Sequence, residues 1–119
     1  MKLLNRSALV VLAKAPFADW IASLPVDEEN PALSLAELRE AGNVYLLNEV
    51  EQEQDFADQL AARWSMIFEN ELSAWDEFED SWPEPRTQAM FESWFDVAEQ
   101  IMVFDVADDP LLVADLDKL

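Results

Sequence analysis

The chain has 119 residues, 51% of them hydrophobic, and a formal net charge of −19 with no histidine and no cysteine. Five Trp and seven Phe accompany the charge, so the composition suits one packed domain and not a solvated acidic coil. Without His or Cys, disulfides, zinc centres, thiolate nucleophiles and Ser-His-Asp triads are excluded, and a single glycine excludes the Gly-rich phosphate-binding loops.

The charge is uneven. Residues 1–48 carry four basic and six acidic side chains, whereas residues 49–119 carry three and twenty. Such a field repels nucleic acid and anionic membranes and attracts basic proteins and cations. Direct nucleic-acid binding and membrane association are therefore not expected, and the missing cysteines fit a cytoplasmic location.

In chain order, "MKLLNRSALVVLAKAPFA" begins like a secretory signal, but Asn5 and Arg6 interrupt it and Lys14 closes the apolar run early. Ser7–Lys14 instead reads as a buried strand. Pro16 suits the first turn of a helix, and Phe17, Trp20, Ile21 and Leu24 come after it at helical spacing. A polar loop with two prolines runs to Ser34. Ser34 and Glu37 then make an S-x-x-E capping box, Leu35 and Leu38 give a small apolar face, and Gly42 is placed to end the turn.

Asn43–Val50 is a second strand. From about Glu53, Phe56, Leu60, Trp64, Ile67, Phe68, Leu72 and Trp75 trace one face of a long helix. Glu79 would fall inside that apolar sector, so the helix is expected to end near Asp76–Glu79, and "WPEP" marks the break. A further helix after Thr87 carries Met90, Phe91, Trp94 and Phe95 on one side. Gln100–Val106 reads as a third strand, and residues 107–119 form an acidic tail with room for a short helix.

These elements predict an α+β domain over 1–119, with a small mixed sheet of about three strands and helices mainly on one face. A small α/β sandwich satisfies the same pattern. Crossovers between parallel strands would be right-handed.

No motif marks an active site. Asp105–Asp117 lacks the spacing and closing Glu of a calcium loop, and no pair among twenty-six acids stands out as a catalytic dyad. The aromatic residues match core stripes better than a ligand pocket, with Trp82 lying outside both stripes. The segments "NRSALVVLAKAPFADWIASL", "NVYLL" and "WPEPRTQAMFESWFDV" resemble a family of small acidic bacterial proteins, from Asn5 to about Val106. The resemblance implies a bacterial cytosolic domain and brings no activity, cofactor or catalytic residue with it.

The expectation is a non-enzymatic domain, without cofactor, that works through protein contact. Its partner-facing surface is expected at Glu69, Asp76, Glu77, Glu79, Asp80, Trp82 and Glu84, and its partner is a basic or nucleic-acid-binding protein. The rival expectation is a carboxylate-based enzyme or small-ligand binder, using a divalent cation held by converging acids.

Overall fold

The computed structural model describes residues 1–25, 29 and 31–116. Part of the loop expected over 24–34 and the last three residues of the acidic tail lie outside them. The elements run β1 (Lys2–Leu3), β2 (Arg6–Ala13), α1 (Ala15–Ser23), α2 (Leu35–Glu40), β3 (Asn43–Asn48), α3 (Glu53–Ser73), α4 (Gln88–Trp94), β4 (Phe95–Gln100) and β5 (Phe104–Asp105). The fold is α+β. No helix among the described residues is long and apolar enough to cross a membrane.

The main sheet has the order β3-β2-β4, and both pairings are antiparallel. The expected parallel crossovers are therefore absent from it. The third strand also starts earlier than expected. Phe95 ends the aromatic series that reads as helix, yet the helix stops at Trp94 and Phe95 opens β4. Its burial serves either conformation, because Phe95 shares a helical face with Phe91 at i, i+4 and a strand face with Val97 at i, i+2. The run "IMVF" supplies only the start of β5, which pairs with β1 in a separate two-stranded sheet. The described part of the tail holds no α-helix.

Strand alternation decides which sheet face is covered. Leu9, Val11 and Ala13 of β2 join Leu47 and Phe95 in one core with the helices, while Val44 and Leu46 on the opposite face stay exposed. At the centre Phe17, Phe68, Phe91, Trp94 and Phe95 meet with ring centroids 4.7–6.2 Å apart. Tilted and edge-on geometries of this kind add about 0.5–1.5 kcal/mol per pair beyond burial.

Polar groups fix the periphery. Ser7, fully buried, donates from Oγ to the Ile101 carbonyl and accepts from the Val50 amide, each at 2.9 Å. One hydroxyl thus ties β2 to the segments beyond both neighbouring strands. Both bonds of the Ser34–Glu37 capping box are present at 3.2 Å. At the start of α3, the amides of Gln52 and Glu51 donate to Asp55, holding its carboxyl below its usual range. Arg39 and Lys14 do the same for Asp96, the Arg39 hydrogen bond leading.

Gly42 differs from its expected role. It has no positive φ; instead, a Cβ there would lie 2.3 Å from Leu12 Cδ2 and 2.9 Å from the Val11 carbonyl oxygen. Close approach to β2, not a left-handed helix cap, demands glycine.

β3 is anchored to α3 by a polar cluster. Glu71 Oε2 accepts from Asn43 Nδ2 at 2.6 Å and from the Tyr45 hydroxyl, which in turn accepts from Asn70 Nδ2 at 2.9 Å. Burial, the largest influence, pushes the Tyr45 phenol well above its ordinary value.

Candidate functional site

The acid-rich segment after α3 is built as a pinned turn. The amides of Trp75 and Asp76 donate to the Leu72 carbonyl, closing the helix at Ser73, before the expected Asp76–Glu79 terminus. Asp76 then organises the turn over residues 76–82. Its carboxylate accepts from the Ser81 amide at 2.6 Å, and its carbonyl accepts from Trp82 Nε1 at 2.9 Å and from the Glu79 amide at 3.2 Å. Trp20 Nε1 reaches from α1 to the Ser81 carbonyl at 3.0 Å. Two indoles and one carboxylate therefore hold the turn from below.

Glu79 sits at φ 64° in the left-handed region. For a residue with a Cβ and no short polar side chain this costs about 1–2 kcal/mol, and such strain concentrates at binding sites. Its neighbour Phe78 points its ring outward and is 79% exposed, flanked by the exposed Glu77, Glu79 and Asp80.

The seven residues expected to form a partner surface divide into two groups. Glu69 and Glu84 are not unneutralised, because Arg86 donates to both, at 3.0 and 2.6 Å. The Arg86 guanidinium carbon also lies 5.3 Å from the Trp82 ring centroid, and its side chain is only 15% exposed. Trp82 packs partly buried against the core, with its N–H taken by Asp76, so it is not the protruding ring that its place outside both stripes suggested. Asp76 serves the turn. Glu77, Glu79 and Asp80 stand around Phe78 without a salt bridge to any of the described residues.

Sequence reading missed two residues here. Arg86 lies four positions beyond Trp82 on the far side of a proline turn, and its approach to Glu69 depends on that turn doubling back. Phe78 carried no signal of its own: three positions after Trp75, it continues the three-and-four spacing of the α3 stripe and reads as a core residue, and only the end of the helix at Ser73 turns it outward.

No group of three or more acids among the described residues is arranged to hold a metal ion. No family model, curated protein or solved structure matches the chain.

Proposed function

We propose that this is a cytosolic protein-binding domain whose recognition element is the Phe78 turn. Its partner is a protein with a basic surface, of the kind that also binds nucleic acid, and with an apolar recess for one ring. A single observation carries the reading: a large aromatic side chain, 79% exposed, stands among three exposed carboxylates on a turn pinned by Asp76, Trp82 and Trp20.

Each part has a physical role. The acidic half of the chain attracts a basic partner over long range and raises the encounter rate. Burial of Phe78 supplies the affinity, as aromatic anchors do at the centre of interfaces. The pinned turn lowers the ordering cost, since the ring is presented before the partner arrives. Lys or Arg side chains on the partner meet Glu77, Glu79 and Asp80 at the rim.

The test is capture from cell extract with immobilised protein at low salt. The expected result is a basic protein retained at low salt and released as salt rises. F78S is expected to weaken capture by about 2 kcal/mol, roughly thirtyfold, without altering stability by more than about 0.5 kcal/mol. Capture that ignores salt, or that survives F78S unchanged, would refute the reading.

A further inference from the structure

A cleft of about 200 Å³ opens between β2, the first two helices and the C-terminal end of α3. Phe17, Leu33, Leu38 and Trp75 give it apolar walls, and Asn43 and Glu71 its polar edge. Glu71 is unusual among the described acids: it is only 8% exposed. A carboxylate removed from water to that degree is ordinarily matched by a buried cation. Here no Lys or Arg pairs with it among the described residues, and its partners are neutral donors, Asn43 and Tyr45, both directed at Oε2. Oε1 receives no hydrogen bond from the described residues.

The Tyr45 hydroxyl is oriented as well as placed. Because it accepts from Asn70, its own proton points at Glu71 Oε2, which takes the Asn43 and Tyr45 donors together and leaves Oε1 to whatever enters the cleft. The site is thus a buried carboxyl group at the edge of an apolar cleft, with no Lys or Arg paired to it among the described residues. Trp75 adds an indole to the wall, the aromatic side chain that organic cations favour most.

We propose that this cleft binds an organic ammonium with a short apolar body, the ammonium paired to Glu71 Oε1 and the body lying against Phe17, Leu38 and Trp75. Inorganic cations fit poorly, because a hard ion needs several converging oxygens and this cleft offers one carboxylate and one amide. The cleft is separate from the Phe78 turn in its chemistry and in its test, so either reading can fail without the other.

The sole glycine gives a direct probe, since Gly42 lines the cleft and contributes one amide resonance in glycine-labelled protein. Phenethylammonium, 2-phenylethanol and 3-phenylpropionate are titrated at constant ionic strength. The expected result is saturable displacement of the Gly42 signal by phenethylammonium, with a Kd on the order of 1 mM for a ligand of this size. The neutral alcohol should bind at least tenfold more weakly, and the carboxylate not at all. E71Q keeps an acceptor for Asn43 and Tyr45 but removes the charge, and should lose at least tenfold.

N-acetyl-lysine N-methylamide, run in parallel, distinguishes a free amine from a lysine presented on a peptide. The source is whichever of the two binds tighter in a Glu71-dependent way. Equal response to ammonium and alcohol, undiminished binding by E71Q, or no displacement by either cation would overturn the proposal. Should E71Q fail to fold, A74L, at a residue that also lines the cleft, narrows it while leaving Glu71 in place; ammonium binding should then fall, and unchanged binding would equally overturn it.

Discussion

Ser7 shows how much one small side chain carries in this fold. Its hydroxyl satisfies an amide and a carbonyl that lie beyond different strands, and it bonds to both at once. S7A should cost about 1–3 kcal/mol in denaturant unfolding, the penalty of leaving such groups unsatisfied; a loss below about 0.5 kcal/mol would show that they find other partners. Tyr45 makes a pH-dependent contribution. Its folded pKa is raised, chiefly by burial, so the stabilisation from the protonated phenol is complete below its ordinary value near 10 and is lost as pH rises from there towards the folded value. The stability gap between wild type and Y45F, read from denaturant midpoints, should therefore shrink between about pH 9 and about pH 11. A constant gap would contradict the assignment. Glu71, the third member of this group, was legible in principle: in helical projection it falls between Leu60 and Trp64, inside the apolar stripe of α3. Only its partners on β3, distant in sequence, explain why a carboxylate is tolerated there.

At the scale of elements, local chemistry was readable where the signal is local. The Ser34 capping box, the start of α3 at Glu53 and the start of α4 after Thr87 all stand where side-chain patterns put them. The boundary between α4 and β4 was not readable, since Phe91 and Phe95 are buried in the same core, with Trp94 packed against it, whichever conformation Phe95 adopts. Strand direction was also hidden, because parallel and antiparallel partners bury the same alternate residues of β2. Gly42 belongs at this scale, because its lack of a side chain lets the turn after α2 close on β2. G42A should destabilise the domain by about 1–3 kcal/mol, since Leu12 can move but the Val11 carbonyl can do so only by shifting the central strand. Thermal unfolding checks this; a neutral or stabilising result would mean that the contact relaxes freely.

For the whole molecule, the division of charge was plain in the sequence and its use was not. Twenty acids in residues 49–119 read as one diffuse field, yet the fold sorts those near α3 into distinct tasks. Glu69 and Glu84 neutralise Arg86, Asp76 braces a turn, and Glu71 is buried against β3. Glu77, Glu79 and Asp80 are left around the outward ring of Phe78. Selecting that ring over Trp82 required knowing that Trp82 folds back beneath Arg86, a contact made across the proline turn.

Recognition through the Phe78 turn is tested most directly by placing a photo-crosslinking phenylalanine analogue at position 78 and, as a control, at Met66, which is also exposed but lies on α3. After irradiation in cell extract at low salt, position 78 should yield an adduct with a basic protein. That adduct should vanish at high salt and on combining E77Q, E79Q and D80N. No adduct from position 78, or the same adducts from positions 78 and 66, would contradict the assignment of this turn as the binding element.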